Sequence, residues 1–350
     1  MGDLLSRIEI TKLAQELRVP ETELSFLTDS SPERLRELRA WISSAMFARN
    51  EQRVLLLASL SRLLPTGVTA KIAKLALGPM LSARVAGVLD PREASRLAGH
   101  LDPEFLARLA VSLDPKRVEP IIGALDDDLV IDVGRRLLDA GEHLVLGRFV
   151  SVVDVEVAMG VVETATDDAL LRVALFTEEP EALDAIVARL PDHRLAGVIR
   201  AAAEADAYDA AVTLLTSLSE ESCARLVGQV DAVTASARDS LVHAIAEHDV
   251  WPRILPTLHE VEQTTLAGMV NVPTTADVRI VDRFVEHARD LDLAPVLVRI
   301  VLALDDAHLD VLADSKLLHR SEVQDWLLAK AGVSQRLVEA VLARLGLRVA

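Results

Sequence analysis

Apolar residues recur along the central part of the chain with a period of twelve. Four consecutive blocks begin at Leu89, Leu101, Leu113 and Leu125, and an Asp follows each of these leucines. The sixth and ninth positions of every block are apolar, and the tenth is apolar or Gly. Steps of three and four residues place these side chains along one face of a helix, so the pattern predicts a series of amphipathic helices.

Each block opens with a helix-start signal. The first three blocks read Leu-Asp-Pro and the fourth reads Leu-Asp-Asp. An Asp side chain at the N-cap accepts a hydrogen bond from a free backbone N–H, and Pro at the first helical position has no N–H to leave unpaired. The pattern predicts helices of about nine residues, which are marginal in water because an isolated helix needs about 12 to 15 residues. They must therefore stack on one another, as in a solenoid.

Similar start signals lie outside this region. The interval of 28 residues between Leu190 and Leu218 matches the size of a helix pair. Pro120 lies inside the third short helix and should kink or shorten it. The segment 144–162 is dense in Val and Phe, but we interpret it as helical because its neighbours are helical. Other helices are expected from Ser31 to about Arg49, and from Pro191, Ser219, Asp305 and Ser334 onward.

The composition supports a helical fold. Hydrophobic residues make up 51% of the chain but aromatic residues only 3%, which favours aliphatic helices over a β-sandwich or barrel. We predict an all-α solenoid of short stacked helices. Its expected parts are a helical N-terminal cap over 1–50, short-helix repeats over 51–165, and C-terminal helical repeats over 166–350 that continue the same array.

Tandem short helices opened by Leu-Asp-Pro resemble the cytosolic N-terminal domain of MgtE-type magnesium transporters, and the flagellar motor-switch protein FliG contains related modules. The resemblance covers Leu89 to Arg136, and the region from Leu190 to Leu312 only suggests it. It implies a right-handed α-superhelix. We find neither the CBS modules nor the membrane domain that follow it in the transporters, so transport and gating are not implied. The acidic positions that carry over are at most Asp90, Asp102, Asp114 and Asp126.

The charge balance restricts the partners and the location. The chain has 37 basic and 54 acidic residues, a net charge of −17, which makes nucleic acid an unfavourable partner. Cys223 is the only cysteine, so no internal disulfide can form. No signal peptide and no charge-free stretch of membrane-spanning length is visible. We expect a cytoplasmic protein, and the rarity of Lys beside Arg, Ala and Val suggests a bacterial source.

One segment has the opposite charge. Between Arg53 and Val88 the chain contains no Asp or Glu. This segment could be a surface for anionic lipid or for an acidic partner, in peripheral contact with a membrane. It could also consist of core helices whose cations pair with the neighbouring acidic repeats, and we favour this second interpretation because pairing accounts for both charge signs. The five cations are Arg53, Arg62, Lys71, Lys74 and Arg84.

Two groups of residues are candidates for binding metal. Asp126, Asp127 and Asp128 exceed the needs of one helix cap and could attract Mg²⁺, which prefers oxygen ligands, although capping is the favoured role for the repeat aspartates. Four of the nine histidines lie between His243 and His287, but their spacing matches no metal motif. We expect no other cofactor.

No catalytic signature is present. The sequence contains no P-loop, no Gly-x-Ser-x-Gly and no Gly-x-Gly-x-x-Gly, and Cys223 should be inert because Glu220 and Glu221 lie close by. Trp251 is interpreted as a packing anchor between helices. We predict a non-enzymatic scaffold that binds a protein partner in a groove. The alternatives are a carrier or sensor of an apolar small molecule or lipid, which requires an apolar cavity of several hundred Å³, and a Mg²⁺-responsive module.

Overall fold

The computed structural model describes residues 2–17, 19–48, 58–59 and 63–330, and within them the regular structure is entirely helical. The all-α prediction is confirmed, and the right-handed superhelix stays a prediction. In the first part of the chain the helices are α1 (Gly2–Leu17), α2 (Pro32–Ala48), α3 (Thr66–Ile72), α4 (Gly78–Ala86), α5 (Pro91–Ala98), α6 (Pro103–Ala110), α7 (Pro115–Ile122), α8 (Asp127–Asp139), α9 (His143–Phe149), α10 (Val155–Val162), α11 (Asp167–Phe176) and α12 (Pro180–Arg189).

The second part continues with further short helices. They are α13 (Asp192–Glu204), α14 (Tyr208–Leu215), α15 (Glu220–Val227), α16 (Ala235–Glu247), α17 (Trp251–Ile254), α18 (Gln263–Val270), α19 (Val278–Asp290), α20 (Ala294–Ala303), α21 (Asp306–Ala313) and α22 (Ser321–Lys330). Short 3₁₀ turns cover Glu21–Leu27, Val150–Val152, Val230–Ala232, Leu255–His259 and Pro273–Ala276, and a π turn covers Ala73–Leu77.

The chain forms two compact units, Met1–Ile186 and Val187–Ala350. The boundaries at residues 50 and 165 stay predictions. The helix expected after Ser334 lies outside the described residues. In the part of the chain that the structure covers, every helix is too short or too polar to cross a bilayer.

The twelve-residue blocks form the predicted capped helices. α5, α6 and α7 are each eight residues long and begin with Pro directly after an Asp N-cap. The carboxylate of Asp90 accepts a hydrogen bond from the N–H of Arg92 at 3.0 Å, and that of Asp102 accepts one from Phe105 at 2.9 Å. Asp114 and Asp126 cap their helices in the same way. The helix-start signals of the sequence are therefore confirmed.

Pro120 does not shorten its helix. α7 continues through Pro120 to Ile122 and is as long as α5 and α6. Pro120 cannot donate a hydrogen bond to the carbonyl of Lys116, four residues earlier. Both residues are exposed, so the helix loses this bond on its solvent side, where water can replace it. The helical interpretation of 144–162 is confirmed by α9, a 3₁₀ turn and α10.

In the first unit, helices pack on the helix two places further along the chain. The pairs are α3 with α5, α4 with α6, α5 with α7, α6 with α8, α8 with α10, and α9 with α11. The last pair is especially close, because a Cβ atom on Gly147 would lie 2.7 Å from the backbone carbonyl carbon of Phe176. This alternating packing is what a stack of short helices requires.

The second unit contains a repeat that the sequence analysis did not detect. Its thirteen-residue helices α13, α16 and α19 begin at Asp192, Ala235 and Val278, at intervals of 43 residues. The next helices, α14, α17 and α20, follow at the same intervals, as do α15, α18 and α21. A length of 43 residues lies within the range of about 40–47 typical of solenoid repeats built from two or three helices. The 28-residue interval expected for a helix pair is the offset from the first to the third helix of one repeat.

An aspartate with positive φ ends the first helix of each repeat. Asp206, Asp249 and Asp292 have φ of 52°, 53° and 57°. Asp249 contacts Arg283 at 2.8 Å and His287 at 3.0 Å in the next repeat. Forty-three residues later, Asp292 accepts hydrogen bonds from Trp326 Nε1 at 2.8 Å and Lys330 Nζ at 2.9 Å. We call these two sets of contacts the aspartate clamps; they join successive repeats at equivalent positions.

Candidate functional site

The first unit contains an apolar cavity of about 310 Å³ between helices α3 to α7. Among the described residues, its lining side chains are Leu, Ile, Val and Ala, apart from Thr69 and Ser82. The hydroxyl of Thr69 donates to the carbonyl of Pro65, and that of Ser82 donates to the carbonyl of Ala73, each at 3.4 Å. The described residues of the cavity wall therefore offer no charge and no free hydroxyl proton to a ligand.

The twelve-residue pattern forms the wall of this cavity. The four leading leucines, Leu89, Leu101, Leu113 and Leu125, all line it, and so do most of the apolar residues at the sixth, ninth and tenth positions of the blocks. From the sequence, these apolar residues are predicted to pack against one another between stacked helices. Protein interiors rarely leave voids larger than a water molecule, so a space of this size in a stripe of aliphatic residues is a candidate binding site.

Exposed apolar side chains border the cavity. We call the seven large apolar residues exposed between 63 and 81 the apolar strip. Leu75 is 83% exposed and Leu63 is 78% exposed, whereas Leu64 and Ile72 are partly exposed and also line the cavity. The strip is therefore continuous with the cavity wall. Its residues are Leu63, Leu64, Val68, Ile72, Leu75, Met80 and Leu81.

The backbone of the strip departs from a regular α-helix. Residues Ala73–Leu77 form a π turn, and Gly78 then adopts a φ of +72°. An L side chain rarely adopts this conformation, so glycine permits the break between α3 and α4. Leu75 lies in the middle of this π turn, and π turns inside helices are frequent at functional sites.

The cationic segment agrees with its sequence interpretation only in part. Arg53 and Arg62 lie outside the described residues. Lys74 pairs with the carboxylate of Asp102, and this hydrogen bond, together with the one from the Phe105 N–H, lowers the pKa of Asp102. Pairing with an acidic repeat is thus confirmed for Lys74. Lys71 is exposed, and no acidic side chain among the described residues forms an ion pair with it.

The expectation that this segment forms core helices is wrong for the apolar strip. Ala70, Ala83 and Val85 are buried, but the larger side chains of the strip are exposed. α3 packs on α5 and α4 packs on α6, but none of the residues of the π turn between α3 and α4, which includes Leu75, is buried. The sequence shows which residues are apolar, but it does not show which face of a helix packs against another helix.

Arg84 belongs to a second, polar cleft of about 180 Å³. Glu16, Asp114, Arg117 and Arg148 also line it. Burial raises the pKa of the Glu16 carboxyl, while Arg148 and Arg39 oppose this shift and Asp114 and Glu178 add to it. The Oε2 atom of Glu16 is buried and has no hydrogen-bond partner. The opposite charges in this cleft partly neutralise one another.

A buried charge network joins α1 and α2 to the residues before α12. Glu9 is 2% exposed, and its carboxylate contacts Lys12 at 3.3 Å, Arg36 at 3.2 Å and Arg39 at 3.5 Å. Arg39 also binds Glu178 at 2.8 Å. Burial lowers the pKa of Lys12 despite the carboxylates of Glu9 and Glu178. This network could not be predicted from the sequence, because the residues of α1, the residues of α2 and Glu178 lie far apart along the chain.

The metal candidates have other positions and contacts in the structure than those of a metal site. Asp126 is the N-cap of α8, and Asp127 and Asp128 are exposed in the first turn of this helix. The helix dipole stabilises negatively charged side chains at this end. Among the described residues no three His, Cys, Asp or Glu side chains come together as a metal site. His243, His248, His259 and His287 contact different carboxylates, those of Glu247, Asp209, Glu260 and Asp249.

Cys223 and Trp251 are both buried in the core of the second unit. Burial raises the pKa of the Cys223 thiol to about 11, with a smaller contribution from Glu220 and opposition from Arg253. The raised pKa is as expected, but desolvation rather than the neighbouring carboxylates is its main cause. Trp251 packs against Phe284 with ring centroids 6.0 Å apart, so its interpretation as a packing anchor is confirmed.

Comparison of the chain with protein-family models, curated proteins and solved structures gives no match. The resemblance to MgtE-type domains therefore stays a hypothesis, and the cavity and the apolar strip carry the functional argument.

Proposed function

We propose that this protein binds the aliphatic chain of a fatty acid or acyl lipid in the cavity of its first unit and acts as a carrier or sensor. The observation that carries this proposal is an aliphatic cavity of about 310 Å³. This volume is at the lower end of the range of about 300–1,000 Å³ typical of ligand pockets. The cavity has a rim of exposed apolar residues, which suits a ligand whose polar end remains outside.

The chemistry of the wall determines which part of the ligand is recognised. Each buried CH₂ group contributes about 0.8 kcal/mol, and part of this gain is lost in ordering the ligand. A single myristoyl chain binds a bilayer with a constant of about 10⁴ M⁻¹, which sets the scale for one chain in an apolar site. Because the two hydroxyls that line the cavity donate to backbone carbonyls, affinity should increase with chain length and depend little on the polar end group.

The test is a titration with dansyl-undecanoic acid, combined with native mass spectrometry of the purified protein. We expect saturable fluorescence enhancement that palmitate reverses. Ala98→Leu and Ala94→Leu each place a larger side chain in the cavity wall. Each should weaken binding at least about tenfold, because the loss of two buried CH₂ groups of the ligand costs about 1.6 kcal/mol and about 1.4 kcal/mol corresponds to a factor of ten.

Ala205→Leu is the matched control. Ala205 is exposed at the end of α13 in the second unit, so the same substitution there should leave the affinity unchanged. Circular dichroism melting curves show whether each variant is folded. Absence of saturable binding, or equal affinity in folded Ala98→Leu and Ala94→Leu, would contradict the proposal.

A second candidate function is the predicted protein scaffold. Phe26 and Trp41 are 75% and 69% exposed, in a chain with few aromatic residues, and aromatic side chains dominate many protein interfaces. Affinity capture with the wild type and with Trp41→Ser tests this function. A specific partner should be lost in Trp41→Ser and retained in Leu302→Ser, another exposed apolar residue. Retention of every captured protein by Trp41→Ser would exclude a role of Trp41.

The proposal includes a superhelix of the MgtE type and a cytoplasmic location. The alternating helix contacts of the first unit and the 43-residue repeat of the second support the superhelix. The unpaired thiol of Cys223 supports a reducing compartment. Among the described residues, no observation favours a Mg²⁺-responsive role.

A further inference from the structure

We propose that the apolar strip between residues 63 and 81 docks on the surface of an anionic lipid bilayer. This inference deepens the proposed function, because it identifies the place from which an acyl ligand reaches the cavity. The docking surface itself depends only on the strip and its charges, so it can be tested separately from ligand binding.

The first observation is the concentration of exposed apolar side chains. Seven of the eleven large hydrophobic residues that are exposed in the described chain lie in this one short segment. Val68, Ile72 and Leu75 follow one another at steps of four and three residues, as on one side of a helix. Helices with such an apolar side and a cationic border lie in the interface of a bilayer.

The second observation is charge complementarity. No Asp or Glu occurs between residues 53 and 88, and the exposed cation Lys71 lies within the strip, beside Lys74, which is paired with Asp102. The chain as a whole has a net charge of −17, of which this segment contributes +5, so the remainder carries −22. An anionic surface therefore attracts this segment, whereas the net charge of the remaining chain opposes contact.

The third observation is the continuity of the strip with the cavity. Leu64 and Ile72 are partly exposed and also line the cavity. A docked strip would place this edge of the cavity against the bilayer. An anionic bilayer offers both an apolar interior and negative head groups, and it is also a source of acyl chains. These three properties together favour a membrane over an acidic protein as the occupant.

The experiment is co-sedimentation with vesicles of phosphatidylcholine alone and of phosphatidylcholine mixed with phosphatidylglycerol, at low salt and at about 0.15 M salt. We expect binding to the mixed vesicles, weaker at the higher salt, and little binding to phosphatidylcholine. Leu75→Ser and Lys71→Glu should each weaken binding to mixed vesicles by about tenfold. Leu75 is 83% exposed and Lys71 is exposed, so neither substitution should unfold the protein.

Matched controls make the same changes in the second unit. Leu302→Ser alters an exposed leucine, and Lys316→Glu alters an exposed lysine, and both should bind as the wild type does. Absence of binding to mixed vesicles at low salt, or equal binding by Leu75→Ser, Lys71→Glu and the wild type, would overturn the proposal. The same holds if vesicles do not bind but Leu75→Ser abolishes a dimer in analytical ultracentrifugation, because the strip would then be an interface between copies.

The two proposals fail in different ways. Ala98→Leu should lose the fluorescent fatty acid and still sediment with mixed vesicles. Leu75→Ser should show the opposite, because Leu75 lies in the strip and does not line the cavity. Fatty-acid binding without sedimentation overturns docking alone, and sedimentation without fatty-acid binding overturns the carrier function alone.

Discussion

Glu16 shows how the environment of one side chain affects the stability of the fold. Its carboxyl is half-buried in the polar cleft, its pKa is raised chiefly by burial, and one of its oxygen atoms has no hydrogen-bond partner. A carboxyl whose pKa is higher in the folded than in the unfolded state stabilises the fold only while it is protonated. This contribution is fully present below the unfolded pKa of about 4.3 and is lost as the pH rises through the folded pKa.

We therefore expect Glu16→Gln to increase the free energy of unfolding at pH 7, by on the order of 1 kcal/mol, because the variant does not bury a charge. The difference from the wild type should decrease as the pH approaches 4. Urea denaturation at both pH values measures it. Glu33→Gln serves as the control: hydrogen bonds from its own backbone N–H and from Ser31 lower the pKa of Glu33, so this variant should lose stability at pH 7. A gain in Glu33→Gln equal to that in Glu16→Gln would contradict the explanation.

At the scale of helices, the repeat aspartates act as N-caps. Asp102→Ala and Asp114→Ala should each lower the free energy of unfolding by about 1 kcal/mol, since each removes a hydrogen bond to a backbone N–H. The loss should be larger for Asp102, which also binds Lys74. Asp132→Ala is the control, because Asp132 is exposed inside α8, where Ala is the better helix former.

Repeating these denaturation measurements with millimolar Mg²⁺ tests the metal hypothesis. If capping is the role of the aspartates, Mg²⁺ should change the stability of no variant. At a site with an affinity of about 0.1 mM, about 1 mM Mg²⁺ would add roughly 1.4 kcal/mol. A stabilisation of this size in the wild type that is lost in Asp126→Ala, Asp127→Ala or Asp128→Ala would establish the metal site instead.

Local features of the fold could be predicted from the sequence. Leu-Asp-Pro placed the starts of α5, α6 and α7 correctly because capping involves only neighbouring residues. The cavity could not be predicted, since an apolar stripe has the same sequence whether its side chains touch or leave a space between helices. No residue pattern indicated the π turn in which the exposed Leu75 lies. The 43-residue repeat was missed because its copies share helix starts rather than residue identities; the equally spaced Asp206, Asp249 and Asp292 were the available signal.

At the scale of the whole molecule, each unit is a series of helices held together by contacts between near neighbours. The aspartate clamps of the second unit make this arrangement testable. Asp249→Gly removes the contacts with Arg283 and His287 but permits the positive φ at this position. We expect it to be less stable than Asp206→Gly by about 0.5–1 kcal/mol, the value of a partly exposed ion pair.

Asp206→Gly is the matched control because Asp206 has the same backbone conformation and, among the described residues, no ion pair or hydrogen bond of its side chain to the next repeat is present. The effects of glycine on the unfolded chain are common to both variants, so their difference isolates the clamp. The measurement is guanidinium denaturation of both variants. Equal stabilities would mean that the clamp does not stabilise the second unit.

The regular spacing of the clamps bears on how such a chain can change its length. Removal of residues 235–277 would join Thr234, a helix N-cap, directly to Val278, which normally follows the N-cap Asp277. Asp206 would then stand where Asp249 stands now, with Arg283 and His287 as its partners. Gain or loss of whole 43-residue copies thus keeps the remaining junctions in phase, whereas a change that is not a multiple of 43 residues would not. Duplication in register is a route by which the second unit can have grown without inventing a new interface.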